Sequence, residues 1–281
     1  MVFDSVLSQA HTALLTPPGR AAAVNVRFRA VLRWPYWPLI GVMLVAAGLR
    51  LWKLDVLPPG LYHDEAINGV DARMVLSGAG LPLYFAANNG REPLFIYLQS
   101  LTVAILGASP YALRLVSALI GILTVPAVYF CAMAFLNPTA GTESKQDTTQ
   151  IQRRWLALFA AAGLAVSFWH LSLSRLGFRA VMLPLVSALA MGFFWRAWIG
   201  HGLCDYGWAG VWFAVALYTY SAARLLPLVP LVFIAVEGAT DLWRSRRAGV
   251  VAGLAQAAGW CRVASGHQRV AAVAPCVGSD A

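Results

Sequence analysis

The chain has 281 residues, of which 59% are hydrophobic and 12% charged. A soluble domain carries about 25% charged residues, so a water-soluble fold is excluded. The formal net charge of +9 does not point to nucleic acid, because the basic residues stand at the ends of apolar runs rather than in one stripe.

The first 35 residues carry Arg20, Arg27, Arg29 and Arg33. They lead into a spanning stretch without a small-residue cleavage pattern, which reads as a cytoplasmic leader before a signal anchor. Apolar runs then predict an all-α, polytopic membrane protein of about six transmembrane helices. The runs are Trp37 to Leu51, Tyr111 to Leu136, Trp155 to Trp169, Ala180 to Ile199, Tyr206 to Tyr220 and Leu225 to about Ala239. Residues 36–243 form one transmembrane domain, with residues 54–110 as a long first outer loop. The stretch Asn137 to Arg154 reads as a polar loop and His170 to Arg179 as a turn. The tail, 244–281, is rich in Ala, Gly and Val and shows no spanning run. The cysteines Cys131, Cys204, Cys261 and Cys276 have no CxxC spacing, so neither a disulfide framework nor a zinc site is expected.

Orientation follows from the basic residues of short loops. A cytoplasmic N-terminus keeps Arg20 to Arg33, Lys145 to Arg154 and Arg244 to Arg247 inside. It leaves Arg73, Arg91, Arg175, Arg179 and Arg224 on the outer side, against the rule, so those arginines need another reason to be there.

The outer loop is the most informative segment. Leu57-Pro-Pro-Gly60 is a turn signal, and a helix is predicted to begin near His63-Asp64-Glu65. Asp64, Asn68 and Asp71 then share one helical face. Asp64 is read either as a site residue or as the helix N-cap, which Asp favours. Arg91-Glu92-Pro93 opens a second helix, since Pro suits its first turn. That helix runs to Leu106 with Gly107 as its C-terminal cap and is too short to span, so it lies in the interface. Arg91 is read either as a ligand contact or as a side chain snorkelling to headgroups.

Several segments together resemble a known family. They are Leu57-Pro-Pro-Gly-Leu-Tyr-His-Asp-Glu-Ala66, Gly90-Arg-Glu-Pro-Leu-Phe-Ile-Tyr97, Gly107-Ala-Ser-Pro-Tyr-Ala-Leu-Arg-Leu-Val-Ser-Ala-Leu-Ile-Gly121, Ser172-Leu-Ser-Arg-Leu-Gly-Phe-Arg179 and Tyr218-Thr-Tyr-Ser-Ala-Ala-Arg-Leu-Leu-Pro227. Over about residues 36 to 240 the chain resembles the front half of GT-C glycosyltransferases. The family-39 group, with its protein O-mannosyltransferases and aminoarabinose transferases, is the nearest likeness. Such enzymes usually have more spans and a further C-terminal part, so the resemblance implies a C-terminally short chain.

The resemblance implies an inverting transfer of a sugar from a polyprenyl-phosphate donor to an acceptor hydroxyl at the outer face of the cell membrane. It implies Asp64 as catalytic base with Glu65 orienting it, and Arg91 as the phosphate contact. Arg175, Arg179 and Arg224 follow as further phosphate contacts, with Asn68 and His63 completing the substrate-binding set. No metal or cofactor is implied beyond the lipid-linked sugar itself. The implied partners are that donor, membrane lipids and an acceptor lipid, glycan or protein. Two other readings stay open. One is a truncated, non-catalytic fragment or assembly partner of the same fold. The other is a transporter, which the nearly charge-free spans disfavour.

Overall fold

The computed structural model describes residues 36–87, 90–137, 146–200 and 202–247. The chain divides into two compact units, Met1–Ala223 and Arg224–Ala281. Among the described residues the structure is helical, and the one β-type pairing is an isolated antiparallel bridge between Phe85 and Arg91.

In the first unit α1 spans Trp37–Leu51, α2 His63–Leu76, α3 Pro93–Leu106 and α4 Pro110–Phe135. They are followed by α5 (Gln146–Val166), α6 (Phe168–Arg175), α7 (Met182–Gly200, preceded by the 3-10 turn Arg179–Val181) and α8 (Leu203–Leu217). The outer-loop helices start where the sequence places them. Gly107 closes α3 with φ +79°, a left-handed backbone that glycine adopts without strain. Ser109 caps α4 by accepting a hydrogen bond from the Ala112 N–H at 3.2 Å.

The expectation of six spans is not met. Among the described residues three helical stretches are long and apolar enough to cross a bilayer, namely Pro110–Phe135, Arg179–Gly200 and Ser221–Arg247. A fourth arises if α5 and α6, bent by 53° where they meet, count as one broken span. The helices α1 and α8 have 15 residues each. At 1.5 Å per residue that is about 22 Å, short of the roughly 30 Å hydrocarbon core. Two local expectations are also corrected. Gln146 to Arg154 belongs to α5, not to a loop, and His170 to Arg175 is helical, not a turn. Both segments extend an apolar helix with polar residues, which hydropathy alone cannot distinguish from loop.

The long helix α4 is the centre of the first unit and packs against α1, α2, α3, α5, α6 and α7. Close approach comes from small residues, as is general for helices in lipid. On α5, Ala157, Ala161 and Ala165 recur at every fourth position and are buried, and Ala161 and Ala165 pack with Ala46 of α1 and Val125 of α4. A Cβ on Gly192 of α7 would fall 2.6 Å from the Phe130 ring of α4, so that contact tolerates only glycine. The larger core side chains Phe95, Val116, Ile120, Val181 and Met182 fill the junction of α3, α4 and the start of α7. Outward faces are apolar too: Leu44, Phe159 and Leu203 are each more than 60% exposed, which fits contact with lipid. The second unit is helical over 228–247 and pairs Asp241 with Arg244 at 3.4 Å.

Candidate functional site

The end of the first unit that gathers α2, the start of α3, α6 and the turn that follows α8 at residues 218–221 holds most of its buried polar groups among the described residues. On α2 the four buried residues are Glu65, Asn68, Asp71 and Ala72, an i, i+3, i+6, i+7 set that lies along one side of the helix. Three of the four are polar, so the face is built for polar partners rather than for core.

Glu65 is fully buried and is held by Arg114 of α4. Arg114 donates through Nε to Oε1 at 2.8 Å and through Nη2 to Oε2 at 3.1 Å, the two-pronged geometry that suits a planar guanidinium. The remaining Arg114 donors reach the carbonyls of Leu54 at 3.3 Å, Pro58 at 2.9 Å and Gly60. Glu65 also accepts from the Tyr62 backbone N–H at 2.9 Å, reaching back over the first turn as a capping glutamate does. Behind it stands Gly177, with φ +63°; a Cβ there would lie 3.0 Å from Glu65 Oε1. Glycine is thus required twice over, by the backbone and by the carboxylate.

Arg91, 2% exposed, crosses to the same face of α2. It donates to Asn68 Oδ1 at 2.6 Å, to Asp71 Oδ2, and through Nε to the Ala87 carbonyl at 3.3 Å. Its backbone pairs with Phe85 in both directions, at 2.8 and 3.0 Å, which fixes where the guanidinium enters. Next to it Glu92 is buried and accepts from the Ser221 hydroxyl at 2.9 Å. The Leu94 N–H meets the Tyr218 carbonyl at 3.4 Å, so the 218–221 turn is fastened to the start of α3.

The structure therefore joins Asn68, Asp71 and Arg91, and separately Glu65 and Arg114. Asp64 is half-buried on the first turn of α2, and the N-cap is Tyr62; capping does not account for it. His63 is exposed. Arg179 is half-buried, lies over the Tyr220 ring at 5.6 Å and makes one long bond, 3.4 Å, to the Gly90 carbonyl. Arg175 lies elsewhere: its two terminal nitrogens donate to the carbonyls of Leu49 (2.6 Å), Arg50 (3.4 Å), Trp52 (2.9 Å) and Leu57 (3.1 Å). It closes the C-terminus of α1, where a cation meets the negative end of the helix dipole. Arg224 is exposed and belongs to the second unit. No group of three or more His, Cys, Asp or Glu among the described residues is placed to hold a metal.

One buried cluster has no counterpart in the sequence reading. Arg50 of α1, fully buried, donates to Ala46 O (3.2 Å), Ala165 O (2.9 Å) and Ser174 Oγ (3.3 Å), and its Nη2 lies 2.9 Å from His170 Nδ1. Since the guanidinium has only donors, His170 accepts at Nδ1 and carries its proton on Nε2. Gly121 of α4 makes room, for a Cβ there would stand 2.2 Å from Ser174 Oγ and 2.9 Å from Arg50 Nε. The sequence signal was an arginine inside the run Trp37 to Leu51, four residues on from Ala46 on the packed side.

Comparisons of the chain with protein-family models, with curated proteins and with solved structures gave no match.

Proposed function

We propose that the protein is a membrane glycosyltransferase of GT-C type, acting at the extracytoplasmic face of the cell membrane with its N-terminus in the cytoplasm. It moves a sugar from a polyprenyl-phosphate donor to an acceptor hydroxyl with inversion at the anomeric carbon. The reading rests on the sequence resemblance over residues 36 to 240, and one observation carries it into three dimensions. Asp64 is half-buried beside a rigidly braced polar face, on a helix whose capping is done by Tyr62 and Glu65.

In this mechanism the Asp64 carboxylate takes the acceptor proton as the acceptor oxygen bonds to the anomeric carbon. The bond from that carbon to the phosphate oxygen breaks, and its electron pair leaves with the lipid phosphate. Glu65 acts at one remove: locked by Arg114, it holds the first turn of α2 and so the bearing of Asp64. Arg91 braces Asn68 and Asp71 and would have to leave them to reach a phosphate. Arg179 is the better phosphate contact, since among the described residues it has a single long internal hydrogen bond, which leaves four donors to spare.

The test is transfer from radiolabelled polyprenyl-phosphate sugars to an acceptor panel by the full chain in vesicles. Asp64→Asn is expected to abolish product, a loss of about a hundredfold or more for a missing general base. Unchanged turnover sinks the assignment. A second reading, a non-catalytic assembly partner of the same fold, draws on the internal engagement of Arg91, Arg114 and Arg175. Failure of the wild-type chain to transfer from any donor on the panel would favour it.

A further inference from the structure

The opposite side of α2 carries a second, unrelated arrangement. Ala66, Gly69, Val70 and Arg73 follow the i, i+3, i+4, i+7 spacing of one helical stripe and line a groove of about 220 Å³. Its other wall is Val103 of α3, the Ala108-Ser109-Pro110 turn and Leu113 of α4, and Leu61 closes one end. The lining is apolar apart from Arg73 and Ser109. Gly69 keeps the groove open at its floor, since a Cβ there would come within 2.9 Å of Leu113.

Arg73 differs from the other arginines of this end. Arg91, Arg114, Arg175 and Arg179 all donate to acceptors within the protein. Arg73 is exposed, and among the described residues its guanidinium has no hydrogen-bond or ion-pair partner. It stands at an apolar groove whose far wall is the first turn of α4, the start of a 26-residue candidate span. That is where a span leaves the hydrocarbon and headgroups begin. The N-terminal end of α4 adds positive potential at the same place. On its rim Val70 is 67% exposed, so the groove opens outward over an apolar side chain.

We infer that this groove seats one anionic phospholipid of the surrounding bilayer, an acyl chain along Ala66, Gly69 and Leu113 and its phosphate on Arg73. A slot of this volume holds part of one chain and no folded partner, and Arg73, the one uncommitted cation in its lining among the described residues, selects negative charge. The inference needs only the membrane setting and stands apart from the transferase reading.

Native mass spectrometry of the full chain, released from detergent with dioleoyl phosphatidylglycerol or phosphatidylcholine added, tests it. One retained phosphatidylglycerol is expected, favoured over phosphatidylcholine. Arg73→Gln should weaken its retention about fivefold, the scale of one arginine at an anionic lipid surface. Ala66→Phe should lower it similarly by filling the groove with the charge intact. Glycerol phosphate, the headgroup without chains, should not be retained. Arg196→Gln, an exposed arginine of α7 that is paired with Asp205 at 3.3 Å and does not line the groove, should leave binding unchanged. Equal retention of both lipids, or wild-type retention by Arg73→Gln and Ala66→Phe, overturns the inference.

Discussion

Two buried arginines, Arg114 and Arg50, solve the same problem differently. Both are fully buried on apolar helices. At the α2–α4 contact Arg114 meets a carboxylate, Glu65, and three backbone carbonyls. At the α1–α5–α6 junction Arg50 meets carbonyls, a hydroxyl and an imidazole. One of those carbonyls, Ala165, is in the last turn of α5, where the helix dipole ends in partial negative charge. A carboxylate pair concentrates the stabilisation in one partner, whereas a carbonyl shell spreads it over several. The two regions should therefore differ in how sharply a single substitution hurts them.

The largest effect is expected at the concentrated pair. Glu65→Ala strands a buried guanidinium and should destabilise the protein by about 3–5 kcal/mol, read as unfolding in mixed detergent–SDS micelles by circular dichroism. Replacing Arg114 by Met in the same chain should recover much of that loss, because no charge is then left unpaired. If the double variant is no better than the single one, the ion pair is not what the substitution broke.

At the distributed site, Arg50→Met removes the charge together with its need for partners, but leaves the Ala165 carbonyl and His170 Nδ1 without donors. The expected cost is about 1–3 kcal/mol in the same assay. A loss as large as that for Glu65→Ala would erase the distinction between the two regions. Smallest is Arg175→Gln, at the half-exposed C-terminus of α1, where a cation contributes about 0.3–1 kcal/mol. Slower hydrogen exchange at Trp52 and its neighbours in this variant would contradict the capping role.

The stripes of α2 were legible because they are local. Asp64, Asn68 and Asp71 are spaced to share a face, and the start at His63 follows from the Pro58-Pro59-Gly60 turn before it. Pro93 and Gly107 likewise bracket α3 by the backbone demands of each residue. The break at Ser167 was not legible, because the hydropathy on its two sides is continuous and the chain there holds neither Pro nor Gly. Arg50 stands in sequence at the end of the run Trp37 to Leu51, where a basic flank is ordinary, and only the packed bundle reveals that it faces inward.

From its amino acids alone the chain is determined to be helical and suited to a membrane. Low charge and long apolar runs leave no other solvent for its surface, and turn and cap residues set most helix starts. Which arginine meets which acceptor was decided by the tertiary structure. Glu65 and Arg114 are 49 residues apart, and Arg50 and His170 are 120 apart. No local period encodes such a pairing; it follows from small residues such as Gly121 and Gly177 that let particular helices and turns come close.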